Sequence, residues 1–352
     1  MASLGVRCAG EAERIPASAG ADRARPLPPH DGVVAVTGST GFIGRHLVVA
    51  LAQAGWRVRL LLRRDPDEPT WRALCPEIVA GSLGDSAAID RLVQGASAVV
   101  HLAGLIKATS RQRFMAVNHE GAVRVAQAAQ RLAPGAHFMM VSSLAAREPM
   151  LSDYAASKRA GEQAVLALLG ARATVVRPPA VYGPGDRETL LFFKLAERRI
   201  VPLLGAPDAR AAMIHVRDLS DLIVRLLGQA PDGRTVTAAD ERLEGYGWKE
   251  ILSTAAAAVG NPGPGFVQAP MAVLRGLACV GDIARAFGSA SMLNSQKLRE
   301  LRHPDWSVSA DEHAVPRGWA PALSLREGFS DTVAWYRQAG WLSAARGATP
   351  SA

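Results

Sequence analysis

The stretch Val33-Val34-Ala35-Val36-Thr37-Gly38-Ser39-Thr40-Gly41-Phe42-Ile43-Gly44 decides the fold class. Its first residues combine β-branched side chains with small ones, and Ile43, Leu47, Val48 and Leu51 then recur at helical spacing, so the segment predicts strand, tight turn and helix. Three glycines at such a turn suit a phosphate. Gly38 allows the sharp turn, Gly41 lets the backbone approach a pyrophosphate, and Gly44 lets the helix pack closely on the strand. The unpaired N–H groups of the helix start attract the anion, and Gly55 is placed to close the helix.

Working outward, short apolar runs recur at Val58–Leu62, Ile78–Ala80, Ala98–Leu102, His137–Val141 and Thr174–Val176, as buried parallel strands require. Helical patterns fill the intervals near 86–94, 113–132 and 153–169. This alternation predicts an α/β, doubly wound parallel sheet, a Rossmann fold, over residues 32–185. Residues 186–345 carry helical segments near 188–198, 218–228, 247–259, 270–287 and 294–302, separated by Pro/Gly-rich pieces such as Gly260–Gly265. They predict a smaller substrate-binding lobe with elements returning to the sheet. Ser324-Leu325-Arg326-Glu327 opens the last helix as a capping box. Residues 1–31, rich in Ala, Gly, Pro and Arg and without periodicity, are expected to form a disordered tail.

Composition narrows the partners. The net charge is +8, but the forty basic residues are scattered without aromatic interleaving, which argues against nucleic acid. No uncharged apolar run reaches the length of a membrane span. Three distant cysteines (Cys8, Cys75 and Cys279) show no metal-ligand spacing, so no metal is expected and the compartment reads as reducing and cytoplasmic.

Two constellations carry chemistry. Arg63 and Arg64 follow the second strand, where a carboxylate would favour the ribose hydroxyls of NAD; cations favour the 2′-phosphate of NADP, so NADPH is the expected cofactor and NAD the alternative. Ser142 and Ser143 end another strand, and Tyr154 and Lys158 follow one helical turn apart. An ammonium beside a phenol favours the phenolate and makes tyrosine an acid-base group near neutral pH, while a serine hydroxyl can hold a substrate oxygen.

Taken with Val117-Asn118, His101-Leu102-Ala103-Gly104, Arg177-Pro178-Pro179-Ala180-Val181-Tyr182-Gly183 and Ile214-His215-Val216-Arg217-Asp218-Leu219, these residues resemble the extended short-chain dehydrogenase/reductase superfamily. Its members include NAD(P)-dependent epimerases, dehydratases and hydroxysteroid-type dehydrogenases. The resemblance implies that Tyr154 is the acid-base residue and that Lys158 holds the nicotinamide ribose. It also implies that a strand-end serine, Ser143 ahead of Ser142, completes the triad and that Asn118 holds the geometry. The cofactor would lie against Gly38, Ser39, Thr40, Gly41, Phe42, Ile43 and Gly44, with Leu102, Ala103 and Gly104 beside it. Arg177 and Pro178 would border the nicotinamide, and Ser82 and Leu83 the adenine.

Ser143 runs into Leu144-Ala145-Ala146-Arg147, where sugar-nucleotide members place Val-Tyr-Gly two residues on, so the leading expectation is a ketone reductase or alcohol dehydrogenase for an apolar substrate. A nucleotide-sugar epimerase or dehydratase and a non-catalytic NADPH-binding assembly subunit are the alternatives. The apolar run Phe266–Gly281 reads equally as core or as a helix lining an apolar mouth at a membrane surface. Leu293–Trp306 resembles hydroxysteroid-dehydrogenase-like bacterial members, some of which reduce the 3-oxo group of sphingoid or ceramide lipids. The expected partners are therefore a small lipid-like molecule, the inner membrane face by peripheral contact, and a second copy in a homodimer.

Overall fold

The computed structural model describes residues 30–64, 71, 73–286 and 294–343. Of the tail expected over residues 1–31, only His30 and Asp31 fall within them. The chain forms two compact units: one takes the residues up to Arg177 with Ser220–Val236 and Ala314–Ala322, the other takes Pro178–Leu219, Thr237–His313 and Leu323 onward.

The first unit runs β1 (Val33–Thr37), α1 (Phe42–Gln53), β2 (Arg57–Leu62), β3 (Glu77–Ala80), α2 (Ser86–Val93), β4 (Ala98–His101), α3 (Glu120–Leu132), β5 (His137–Val141), α4 (Asp153–Leu169) and β6 (Ala173–Arg177). The strands lie in the order β3-β2-β1-β4-β5-β6, with Thr235–Thr237 added beyond β6. β1 pairs in parallel on both sides, Val36 opposite Leu60 of β2 and Val100 of β4. Because the order reverses at β1 and β4, the crevice beyond their C-terminal ends is where a ligand of such a sheet lodges.

β4 and β5 are buried along their whole length, as strands covered by helices on both faces must be, which explains their unbroken apolar runs. On one face Ile89 and Leu92 of α2, Val125 and Ala129 of α3 and Val165 of α4 pack on Val99, Phe138 and Val175 of the sheet. α1 ends in a left-handed Gly55 (φ 87°), with Gly55 N–H bonded to Ala52 and Trp56 N–H to Leu51, a Schellman closure.

One expected helix is in fact three pieces. The run near 113–132 comprises Arg111–Phe114, a π-turn at Met115–His119, and α3. The wider turn inserts one residue into the helical ladder and buries Asn118.

In the second unit, Ala180–Tyr182 pairs with Met213–His215, and Ile200–Leu203 with Gly265–Gln268, both in parallel. Its core centres on Phe329, which meets the rings of Tyr182 and Phe193 edge-on, each at 4.9 Å. Phe329 belongs to helix Leu325–Gln338, opened by the Ser324/Glu327 capping box. Among the described residues no helix is long and apolar enough to cross a membrane, and no His, Cys, Asp or Glu cluster suits a metal ion.

Candidate active site

The first unit brings most of the expected site residues to the C-terminal edge of its sheet. Gly38 follows β1 with φ 76°, and a Cβ there would stand 2.5 Å from the backbone nitrogen of Ala103, beyond β4. The two strand ends are stitched together at this point. Leu102 N–H donates to the Thr37 carbonyl at 3.1 Å, Ala103 N–H to Thr37 Oγ1 at 3.3 Å, and Thr37 Oγ1 shares a 2.8 Å hydrogen bond with His101 Nδ1. At Gly44 a Cβ would fall 2.3 Å from the Gly38 carbonyl oxygen, so this glycine sets how closely α1 approaches the turn.

Gly41 is the N-cap of α1, with no side-chain cap and no acidic residue in the first turn. Ser39 Oγ is buried without a partner. Thr40, exposed, and Phe42 and Ile43, at the first turn of α1, complete the strand-turn-helix. Uncapped N–H groups and an unpaired hydroxyl suit an anion's oxygens, so the turn fits a pyrophosphate.

Arg63 and Arg64 lie exposed just past β2, and neither pairs with a carboxylate among the described residues. Past β3, Ser82 Oγ accepts from Gly84 N–H at 3.2 Å, and the Leu83 carbonyl accepts from Arg124 Nε at 2.8 Å, tying that loop to α3.

The catalytic candidates converge through Asn118. Its Oδ1 accepts from Leu105 N–H at 2.7 Å, while Nδ2 donates to the Leu105 carbonyl at 3.0 Å and to Ser157 Oγ at 2.9 Å. Ser157 Oγ in turn donates to the Tyr154 carbonyl at 2.7 Å. The amide thus links the loop after β4 to the first turn of α4. Gly104 leaves room for it, since a Cβ there would lie 3.1 Å from Asn118 Oδ1 and 3.4 Å from Lys158 Nζ.

Lys158 is buried and donates from Nζ to the Val141 carbonyl at 2.9 Å, fixing α4 to the end of β5, next to the serines. Burial lowers its ammonium to about 8, against the opposing pull of Glu162, so it is a cation at neutral pH. Tyr154 lies one turn before it, its ring 6.1 Å from that of Phe114. The two serines differ. Ser142 Oγ is buried with no partner, whereas half-buried Ser143 caps the turn Leu144–Arg147 by accepting from Ala145 N–H at 3.2 Å, leaving its own O–H to donate.

Arg177, at the end of β6, is held by a buried carboxylate. Its guanidinium makes a two-pronged ion pair with buried Glu162, Nε to Oε1 at 2.9 Å and Nη2 to Oε2 at 2.6 Å. Pro178 begins the second unit directly after it. Glu162 is a buried charge that pattern reading missed, although its place four residues after Lys158 on α4 put it on the same face.

His101 gives a testable consequence. Burial, with Lys158 nearby, holds its imidazole down at about 3, and burial holds that of His137 at about 4. Unfolded histidine titrates near 6.5, so as pH falls below about 6.5 the unfolded chain takes up protons that the fold excludes. Stability is therefore complete above that pH and is lost towards pH 4 and below, by about 2 kcal/mol per histidine at pH 5. Thermal melts should show a lower midpoint at pH 5 than at pH 7.5. The double variant His101→Asn/His137→Gln, which keeps a polar atom near each bonded nitrogen, should flatten that difference; an unchanged difference would acquit both residues.

Comparison with known proteins agrees with this geometry. Residues 34–239 match the model of the NAD dependent epimerase/dehydratase family. A ceramide reductase of Caulobacter vibrioides is 49% identical over 312 residues, spanning 88% of this chain and 96% of that protein. Among solved structures, gox2253 superposes with a TM-score of 0.68 at 22% identity, covering 89% of this chain and 100% of the other. MoeE5, in complex with UDP-glucuronic acid and NAD, gives 0.65 at 21%, covering 88% and 99%; at these identities the likeness is one of fold. The glycine turn, the Asn118-centred network and the Tyr154/Lys158 helix thus belong to a member of the NAD-dependent epimerase/dehydratase family, an NAD(P)-dependent oxidoreductase of the extended short-chain dehydrogenase/reductase type.

Proposed function

We propose that the enzyme uses NADPH to reduce the ketone of a long-chain lipid, a 3-oxo-sphingoid base or 3-oxo-ceramide. The observation that carries the proposal is 49% identity, along nearly the whole chain, to a protein named ceramide reductase.

The glycine turn from Gly38 to Gly44 would hold the pyrophosphate, Leu102, Ala103 and Gly104 would flank it, and Ser82 and Leu83 would face the adenine. Arg63 and Arg64 would hold the 2′-phosphate, and Tyr154, Lys158 and Pro178 would lie towards the nicotinamide end. The bound nicotinamide supplies the hydride. Ser143 donates its hydroxyl hydrogen bond to the ketone oxygen and orients it. Tyr154 donates a second and gives up its proton as negative charge develops on that oxygen, leaving a phenolate and an alcohol. Lys158, a cation at neutral pH, stabilises the phenolate. Asn118 keeps the first turn of α4, and with it Tyr154, in register with the loop after β4.

The test is to supply purified enzyme with NADPH and solubilised 3-oxo-sphinganine or 3-oxo-ceramide and to follow cofactor oxidation and the alcohol product. NADPH should bind more tightly than NADH, and Arg63→Ala/Arg64→Ala should erode the preference by about tenfold or more. Equal affinities in the unmodified enzyme would remove the arginines from that role. Inactivity on both lipids with turnover of a UDP- or dTDP-sugar would assign the protein to the epimerase/dehydratase class.

A further inference from the structure

Within the second unit, helix Met271–Ala286 is built inside out. It packs inward through Leu274 and Ala278, which meet Leu298, Leu204 and Ala269. Its outer face carries Val273, Leu277, Val280 and Ile283, each between 54% and 65% exposed, at spacings of four and three that align them in one stripe. Val267 and Ile200, on the paired strands Gly265–Gln268 and Ile200–Leu203, are exposed large apolar side chains of the same unit. Scattered single apolar residues need no explanation, but a row along one helix does.

Arg275 is exposed at one margin of this outer face, and the groove beneath it is basic. A cavity of about 300 Å³ between this helix and helix Ser295–Arg302 is lined by Met271, Ala278 and Leu298 together with Arg275, Arg299, Arg302 and the hydroxyl residue Ser295. The two helices carry five cations (Arg275, Arg285, Lys297, Arg299 and Arg302) against two carboxylates, and both carboxylates are engaged: Asp282 by Ser295, Glu300 by Lys297.

We infer that this face docks on an anionic phospholipid surface, with the Val273/Leu277/Val280/Ile283 stripe entering the headgroup boundary and exposed Arg275, at the edge of the same face, reaching a lipid phosphate. In-plane membrane helices combine an apolar row with flanking cations in this way. A second copy fits the same face less well, because a two-fold contact sets each patch against its own image and brings arginine towards arginine. The inference concerns attachment, not turnover, so its failure leaves the reductase proposal standing, and the converse holds.

The test is cosedimentation of the full chain with phosphatidylcholine vesicles, with and without phosphatidylglycerol. The unmodified protein should bind the anionic vesicles, more weakly as salt rises. Val273→Ser/Leu277→Ser/Val280→Ser should abolish binding, and Arg275→Glu, which reverses one exposed charge, should weaken it by about tenfold or more on anionic vesicles alone. Thermal melts of both variants should match the parent, since the changed side chains face solvent. Absence of vesicle binding in the parent, or binding indifferent to both variants, overturns the inference. So does a concentration-dependent dimer that the triple variant dissociates while the parent ignores vesicles.

Discussion

Replacing Tyr154 with phenylalanine should lower kcat by about 10²–10⁴ while cofactor affinity stays near that of the parent. The change removes one oxygen and leaves the scaffold alone. Helix α4 starts from the Ser152 cap, whose Oγ accepts from Ala155 N–H at 3.0 Å, and the aromatic ring retained in the variant can still pack near Phe114. Lys158 keeps its bond to the Val141 carbonyl, and Asn118 keeps Ser157, because neither contact involves the phenol. What disappears is the group proposed to donate the proton to the ketone oxygen. Single-turnover reduction with a saturating ketone, alongside a cofactor titration, separates the two effects. A variant that turns over near the parent rate would take Tyr154 out of the mechanism.

The second large effect is expected at Gly38, and its form is a contrast between neighbouring glycines. Alanine at Gly38 must adopt φ 76°, which costs an L-residue roughly 1–2 kcal/mol. Its Cβ also meets backbone at Ala103, which cannot swing away as a side-chain tip could. The β1 and β4 ends would have to part, so Gly38→Ala should lower the melting temperature without cofactor and weaken cofactor binding by about a hundredfold or more. Gly41→Ala is different. The sole close neighbour of a Cβ there is the Gly38 carbonyl oxygen at 3.2 Å, and Gly41 is exposed. With no positive φ to maintain and only a few tenths of an ångström to yield, this variant should melt much closer to the parent than Gly38→Ala does and show its main loss in cofactor affinity. If the two variants lose stability equally, the division of labour within the turn is wrong.

The parts of the fold that pattern reading recovered are those whose cause is local or strongly repetitive. β4 and β5 advertise themselves because burial on both faces demands continuous apolar residues, and the Ser324/Glu327 box is written in four consecutive positions. Thr235–Thr237 was not legible, since three residues hydrogen-bonded to the edge of β6 carry no run long enough to stand out. The site divides along the same line. Tyr154 and Lys158 are visible from spacing within one helix. The roles of Ser142 and Ser143 depend on which hydroxyl the surrounding fold covers, and adjacent serines look alike in sequence. The pairing of Arg177 with Glu162 could not be read from the sequence, because the partners lie fifteen residues apart and only the packing of β6 against α4 brings them together.

The π-turn at Met115–His119 makes this region a test of two selections that pull apart. A π-turn is less favourable than the regular ladder around it, so deleting one residue there would let Arg111–Leu132 relax into a continuous α-helix. Such a shortened protein should fold at least as readily, with the turns on either side still in register because the π-turn absorbs its extra residue locally, yet loss of the widened turn would take the Asn118 amide from Leu105 and Ser157. Screening for expression or heat resistance would enrich that deletion, and screening for turnover would eliminate it. Stabilisation campaigns on this enzyme should therefore hold the length of this segment constant.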